Sequence, residues 1–476
     1  MQGNLSLIGK EGAVKFISEK GIKILNLCHI PEDGHLKTLS FPVTDGKKVH
    51  EILEFGERVD GSSLFSYIHP SMSDIYIIPK LDTAFLNPFC TTPTLSVLCR
   101  YLDENGNPLD IAPENILLKA EKKLLSSTSV MLKALAELEF YIIKYEVETL
   151  FPSVPERNYH ESMPFARFEQ FRNEILVTLA DIGIATKYGH AECGKVLGKD
   201  GTVMEQHEIE FLPEDLVRTA ETVAIAKWVI RNICAKHGVF VSFCPKVALE
   251  HAGNGMHIHL CALKNGKNII PDSNGKLSAE ALRMIGGILI FAESLTAFAN
   301  PLPVSYLRIG SGQEAPLHIC WGKRNRLALI RIPLWWNFKR EKTAEAEAFD
   351  PCRCTFEFRA PDPSANPYLL LAGIATAVEY GIRNPEETLR IARQRHVETA
   401  DAEEKKLRIL PSSCSESAAN LEKNRTRYET DGIFPKAVID ATVKKLKSYK
   451  DEALPQKLRS NSQKAEELIQ KYLHCG

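Results

Sequence analysis

Five pairs of ionisable residues, each two positions apart, sit inside apolar, β-prone segments of this chain. They are Glu137 and Glu139 in AELEFYII, His190 and Glu192 in KYGHAEC, Glu208 and Glu210 in QHEIEFL, His257 and His259 in GMHIHL, and Glu357 and Arg359 in TFEFRAP. Side chains alternate across a strand, so residues i and i+2 leave the same face. A solvated sheet face explains one such pair; it explains five, each among bulky apolar neighbours, far less well. Carboxylates gathered away from water need cations to neutralise them. Hard oxygen donors with one or two imidazoles suit Mg²⁺ or Mn²⁺ better than zinc. The expected chemistry is a divalent-metal site on a sheet, and metals held by many carboxylates usually serve phosphoryl transfer. The spacing leaves open which strands are neighbours.

Gly189–Val196 (GHAECGKV) comes close to a phosphate-loop pattern, but it ends in valine where a metal-binding hydroxyl is required. It then runs into LGKDG, a turn and not a helix, so the match is a coincidence. No dinucleotide glycine fingerprint is present. Basic residues gather at Arg308, Lys323, Arg324, Arg326, Arg331 and Arg359. The planar guanidinium fork binds carboxylate and phosphate oxygens two at a time. Lys323 and Arg324 read equally well as a surface patch, whereas the metal cluster draws Arg326 and Arg359 into the site; Arg326 and Arg331 are expected to flank an apolar strand in KRNRLALIRIP.

The elements that must position these groups fall into two parts. Before residue 103 the pattern is of one helix-like stretch, Glu11–Lys20, followed by short β-like runs at Gly21–Cys28, Tyr67–His69 and Asp74–Pro79. Asp103–Pro113 (DENGNPLDIAP), dense in Asn, Gly, Pro and Asp, is the best linker. It separates a small sheet-rich domain (1–108) from a large one (113–476) in which strands alternate with long helices. Helices are expected at Pro113–Ser126, which opens on proline with an early glutamate, and at Pro164–Ile182. Others are expected at Pro213–His237, which stops at Gly238, and at the apolar segments Leu277–Ala299 and Pro367–Gly381. The last ninety residues read as charged helices with a polar tail.

Composition is that of an ordinary globular chain: 476 residues, 44% hydrophobic and 25% charged. Lys+Arg 59 against Asp+Glu 60 gives a net charge of −1, without the basic excess that nucleic-acid binding needs. The most apolar stretch, Ala281 to Asn300, carries Arg283 and Glu293 and reads as a buried helix, not a membrane span. The start, MQGNLSLIGKEG, lacks the features of a secretory signal. The 12 scattered cysteines read as reduced thiols acting as small apolar side chains, without a disulfide framework. A cytoplasmic enzyme is the expectation.

The motifs, taken in order, resemble the class I (bacterial-type) glutamine synthetase family over the whole chain. They are VDGSS (Val59–Ser63), SDIYIIP (Ser73–Pro79), ELEF (Glu137–Phe140), HAE (His190–Glu192) and QHE (Gln206–Glu208). GNGMHIH (Gly253–His259), SYLRIGSGQEAP (Ser305–Pro316), RNRLALIRIP (Arg324–Pro333) and FEFRAPDPSANPYL (Phe356–Leu369) complete the collinear series. The resemblance implies an α+β fold: an N-terminal β-grasp-like domain, then a glutamine synthetase catalytic domain whose curved antiparallel sheet is flanked by helices. It implies a homo-oligomer of six-membered rings, usually two stacked into a dodecamer, with active sites between subunits.

The same resemblance implies a two-step ligase. ATP phosphorylates the γ-carboxylate of glutamate, and ammonia displaces phosphate to give glutamine. Two to three Mg²⁺ or Mn²⁺ ions would serve each site, one held by Glu139, Glu192 and Glu208, a second by Glu137, His257 and Glu357. Arg326, with Arg331 nearby, would neutralise charge on the phosphates; Arg308, Arg359 and Gly253 would hold the amino acid. His259, Cys261, Arg331 and Arg353 would face ATP. Ammonium would enter a pocket of Tyr159, Glu192 and Glu314, with Asp60 and Ser63 from a neighbouring subunit; Gly310 and Gly312 would let the loop bearing Glu314 act as a flap.

Departures from the family pattern are specific. Ala252 replaces an Asn that helps bind the amino-acid end, Cys261 replaces a Ser, and Cys352–Thr355 (CRCT) replaces a basic stretch. The loops between Glu192 and Glu208 and between Pro333 and Glu357 are long. No tyrosine occurs from Gly381 to Arg427, so regulation by tyrosine adenylylation is expected to be absent. Two alternatives follow: a ligase that joins glutamate to a polyamine- or ethanolamine-type amine, or a catalytically silent structural relative.

Overall fold

The computed structural model describes residues 9–145, 154–198, 201–309, 311–335, 351–398 and 407–452, then 454, 458 and 461–476. Alternation in the first hundred residues builds a six-stranded sheet from β1 (Ile24–His29), β2 (Lys37–Pro42), β3 (Glu57–Asp60), β4 (Asp74–Pro79), β5 (Phe85–Leu86) and β6 (Thr94–Leu102). Its order is β2-β1-β6-β4-β3, with β5 on β6; β1 and β6 run parallel and the other pairs antiparallel. Leu25, Leu27, Ile77 and Val97 from the strands meet Ala13 and Ile17 of helix Gly9–Glu19 and Val49, Ile52 and Leu53 of helix Gly46–Phe55 in one core. The β-like run expected at Tyr67–His69 is instead a turn. Phe65 is buried in that core and the Tyr67 hydroxyl donates to the Ile111 carbonyl at 3.1 Å, so these rings plug the domain and pair with no strand.

At Asp103–Pro113 the chain turns on the Asp103 carboxylate, which accepts from the Asn105 and Asn107 amides at 2.9 and 2.8 Å. Helix Pro113–Thr128 follows, and then the ten-stranded sheet that carries the ionisable pairs. Its strands are β7 (Met131–Lys144), β8 (Thr186–Leu197), β9 (Val203–Phe211), β10 (Glu214–Asp215), β11 (Phe240–Ser242), β12 (Met256–Lys264), β13 (Lys267–Asn268), β14 (Trp321–Lys323), β15 (Ile330–Ile332) and β16 (Phe356–Phe358). The order is β14-β15-β16-β12-β7-β9-β8, with β10 and β11 on β7 and β13 on β12. All pairs are antiparallel except β14 with β15.

One face of this sheet is largely apolar, although on β9 it also buries Glu205 and His207. Ala134, Ala136, Leu138, Phe140 and Ile142 of β7, Ile209 and Phe211 of β9, Met256, Ile258 and Leu260 of β12, and Phe356 and Phe358 of β16 all enter one core. Helix Leu216–Lys236 packs against β7, and helices Ala279–Ala299 and Pro367–Arg383 pack on each other behind it. Helix Ala279–Ala299 has the length and apolarity to cross a membrane, yet it is buried in this core. The strand expected between Arg326 and Arg331 begins only at Ile330. Asn325 Oδ1 accepts from the Leu327 amide at 3.0 Å and closes a turn, with Arg324 in the left-handed region at φ 55°. The helix expected from Pro164 begins at Glu169.

A buried ion network joins the end of the first sheet to two helices that pack against the second. Lys80, just after β4, donates to Glu114 of helix Pro113–Thr128 at 2.8 Å and to Glu221 of helix Leu216–Lys236; Arg218 reaches Glu221 at 3.2 Å. Removing one member of such a network leaves buried charge uncompensated. Lys80→Met should lower folding stability by about 3–5 kcal/mol, read as a reduced denaturation midpoint, and replacing Glu114 and Glu221 by leucine in the same protein should restore most of it.

Candidate active site

The face opposite the apolar one carries the polar residues of the same strands, because each alternates with a core residue. Register brings them side by side: His257 of β12 lies opposite Glu137 of β7, Glu137 opposite Glu210 of β9, Glu139 opposite Glu208, and Glu208 opposite His190 of β8. On the other flank His259 lies opposite Glu357 of β16, and Glu357 opposite Arg331 of β15. All of these except Glu357, which is buried behind them, line a cavity of about 210 Å³ together with Tyr159, Glu192, Gly253, Arg308, Glu314, Arg326 and Arg359.

Glu137 sits at the centre. Its two oxygens lie 2.9 Å from His257 Nδ1 and 2.9 Å from His259 Nε2. Glu357, fully buried, accepts from Arg331 at 2.7 Å and from Arg359, and lies 3.5 Å from His257 Nδ1. Glu139 is fixed by the Gly255 amide at 2.8 Å and by Gln206 Nε2 at 3.0 Å. A side chain at Gly255 would collide here: a Cβ would lie 2.6 Å from both Arg308 Nη2 and His257 Nε2. His190 Nε2 reaches Glu208 at 3.1 Å.

Donor atoms of three triads converge within 4.8 Å: Glu137, His259 and Glu357; Glu137, Glu208 and His257; and His190, Glu192 and Glu208. This carboxylate–imidazole chemistry fits Mg²⁺ or Mn²⁺. The triads regroup the expected ligands. His190 stands with Glu192 and Glu208, where Glu139 was expected, and His259 joins Glu137 and Glu357.

Electrostatics divide the cluster in two. Burial pushes Glu137 up, but His259 and His257 outweigh it and hold the carboxyl well below its usual range. Glu357 is also held below, against burial, by Arg359, His259 and His257. Burial and the neighbouring Glu139 push Glu192 up to about 8. Glu208 is driven well above its usual range by burial and by Glu137, Glu139, Glu192 and Glu210. One flank is thus neutralised by fixed cations, while the other holds protons that a metal ion would displace.

The remaining expected residues divide by position. Arg308 and Arg359 are buried against the cavity, Arg308 held by the Ala360 carbonyl at 2.9 Å and by His257 at 3.2 Å. Arg326 pairs with Glu314 at 3.2 Å, and Arg359 donates to the Glu314 carbonyl at 2.9 Å. Cys261 leaves the same strand face as His259 but is buried against Leu263 and Cys352, as a small apolar thiol would be, and Arg353 is exposed; neither lines the cavity. Asp60 and Ser63 do not line it either. Asp60 accepts from Ser62 and Ser63 hydroxyls at 2.7 and 2.6 Å, which hold its carboxyl far below the usual range, while Ser63 borders a separate groove with Lys444 and Lys445. Gly310 and residues 336–350 of the long loop before Glu357 lie outside the described residues.

Two further residues border the cavity, Lys187 and Gln313. Lys187 pairs with Glu210 at 2.7 Å. Glu210 and His190 carried a signal, their i+2 spacing from Glu208 and Glu192; Lys187 carried none, because its partner depends on strand register.

Glu192 keeps a proton in the folded state up to about pH 8 that it loses near 4.5 in the unfolded chain. The unfolded chain therefore binds fewer protons across this window, and metal-free stability should fall as pH rises from 4.5 to 8. Added Mg²⁺ or Mn²⁺ should raise the melting temperature most at the upper end and release protons on binding. Melting curves over this range with and without chelator, and calorimetry in two buffers, check both.

Residues 110–460 match the family model of the glutamine synthetase catalytic domain, and residues 21–104 that of the glutamine synthetase β-grasp domain. The chain is 30% identical over 442 residues to a glutamine synthetase of Pyrococcus abyssi, covering 92% of this chain and 93% of that one. It is 31% identical over 434 residues to that of Thermotoga maritima, covering 89% and 93%. Its fold is similar to a Plasmodium falciparum glutamine synthetase (TM-score 0.77, 21% identity, 93% and 96% covered) and to a GmaS–ADP complex (TM-score 0.76, 21% identity, 94% and 99% covered). With both domain models matched in series and relatives aligned nearly end to end around this cavity, the chain belongs to the glutamine synthetase family.

Proposed function

We propose that this chain is an ATP-dependent ligase that phosphorylates the γ-carboxylate of glutamate and amidates it with ammonia, giving glutamine, ADP and phosphate. The observation that carries the reading is the convergence of Glu137, Glu208, Glu357, His257 and His259 on one sheet face beside Arg331 and Arg359. A carboxylate attacking a triphosphate brings like charges together, and this face is built to gather compensating charge.

In this reading two to three Mg²⁺ or Mn²⁺ ions are held by Glu139, Glu192 and Glu208 and by Glu137, His257 and Glu357, with His190 beside the first group. Such ions would supply positive charge to offset that on the transferred group. Arg326 and Arg331 draw in phosphate oxygens; for Arg326 this means leaving Glu314, whose carboxylate is then open to accept hydrogen bonds from ammonium beside Tyr159 and Glu192. Arg308 and Arg359 orient the amino acid, placing its γ-oxygen for attack. His259 faces the nucleotide, with Cys261 and Arg353 at its far edge.

Asp60 and Ser63, absent from the cavity of their own chain, reach the ammonium pocket of an adjacent copy. The working form is therefore a ring oligomer, a dodecamer of two hexamers, in the cytoplasm. Residues 1–108 and 113–476 are its two domains.

Incubation with ATP, Mg²⁺, glutamate and ammonium should yield glutamine and phosphate. Metal-dependent ATP binding without glutamine would reject the reading, and a product formed faster from ethanolamine or a polyamine in the same mass-spectrometric assay would replace ammonia as acceptor. Glu137→Gln should lower kcat by more than about a hundredfold. Asp60→Asn and Glu137→Gln subunits, each inactive alone, should regain activity when co-assembled, because some sites then receive an intact residue from each.

A further inference from the structure

Gln313 is fastened into the cavity wall at both ends of its carboxamide. Oε1 accepts from Lys246 Nζ at 2.7 Å, and Nε2 donates to the Glu250 carbonyl at 2.6 Å. Lys246 is fully buried and also donates to the His251 carbonyl. A single buried ammonium group thus ties the 246–253 loop to the 311–316 loop. The next residue, Glu314, is held in the left-handed region at φ 57°, which non-glycine residues occupy only under constraint from their surroundings.

The wall that Gln313 enters also contains Ala252, Gly253 and Arg308. Position 252 carries no side-chain amide, and the neighbouring amides of Asn254 and Gln206 are already bonded, to the Ser242 and Cys244 carbonyls and to Glu139 and the Gly253 carbonyl. A Cβ at Gly253 would collide with the Pro245 carbonyl oxygen. Arg308 offers a cation to a substrate carboxylate but no acceptor for an ammonium. A carboxamide has two N–H donors and two acceptor lone pairs, so Gln313, after its two anchoring bonds, retains one of each. One spare donor and one spare acceptor match the two halves of an α-amino-acid zwitterion.

We infer that Gln313 recognises the α-amino and α-carboxylate groups of the amino-acid substrate, supplying from the 311–316 loop the amide that position 252 lacks, and that Lys246 is the residue that positions it. This rests on the ligase reading above. A site that hydrogen-bonds a substrate group rejects analogues without it, because its own polar atoms are then left unpaired. The wild-type enzyme should therefore discriminate strongly against glutarate, which has the γ-carboxylate but no amino group.

Steady-state kinetics with glutamate and glutarate test this. Gln313→Leu should raise the glutamate KM by about tenfold or more, leave the ATP KM within about twofold, and narrow the preference for glutamate over glutarate. Adding Ala252→Asn to that variant should recover much of the preference, which a purely structural role for Gln313 would not allow. Lys246→Met should reproduce the glutamate effect; a proportional rise in both KM values would overturn its positioning role. Should Gln313→Leu fail to fold, Gln313→Glu, similar in shape and able to keep the Lys246 contact, is read the same way. An active Gln313→Leu enzyme with unchanged glutamate KM and preference overturns the inference and leaves the ligase reading standing. A wild-type enzyme that forms no γ-glutamyl product overturns the ligase reading and the inference with it.

Discussion

Everything in the catalytic half of this protein is arranged around one electrostatic conflict: carboxylates from three strands meet on one face of a sheet. Glu137, Glu139, Glu208, Glu210 and Glu357 are placed there by register, and register is set by the apolar residues that alternate with them. Leu138, Ile209, Ile258 and Phe358 cannot leave the core without exposing a large apolar surface, so the acids cannot leave the cavity. The hydrophobic effect thus holds together groups that would otherwise repel one another.

The conflict is resolved differently on the two flanks. Toward β15 and β16 the protein supplies permanent cations, Arg331 and Arg359, and two imidazoles, so Glu137 and Glu357 stay ionised in the protein alone. Toward β8 and β9 Glu192 and Glu208 face the His190 imidazole, which burial makes less basic than usual, and they retain protons instead. The asymmetry suits a ligase: in the proposed chemistry the first flank would receive phosphate oxygens and the second would exchange protons for a metal ion, beside the Glu314 and Tyr159 that face the acceptor.

The loops around the sheet are tied into this charge arrangement. Glu314 is ion-paired with Arg326 and carried on a strained backbone that Arg359 and the Lys246–Gln313 clamp sustain. In the proposed chemistry, charge on the phosphates, recognition of the amino acid and the pose of the acceptor pocket would share these few contacts. The substitution at Ala252 makes sense in that setting, since Gln313 brings an amide to the same wall from the facing loop.

The sequence by itself determined which residues share a strand face, because a period of two follows from backbone geometry alone, and it placed the long helices, whose apolar stripes are local patterns. It also carried the family, through motifs whose order survives although their spacing in space is invisible. Tertiary structure decided the rest. That His190 joins Glu192 and Glu208, that Lys187 meets Glu210, and that Cys261 turns into an apolar cluster all depend on pairings between strands far apart in the chain. That Tyr67 plugs a domain, and that Arg326 rides a turn instead of a strand, depends on which partners the folded chain offers. Local preference is a matter of tenths of a kcal/mol per residue; burial of one large side chain contributes about 1.5–3 kcal/mol, and where the two disagree the packing prevails.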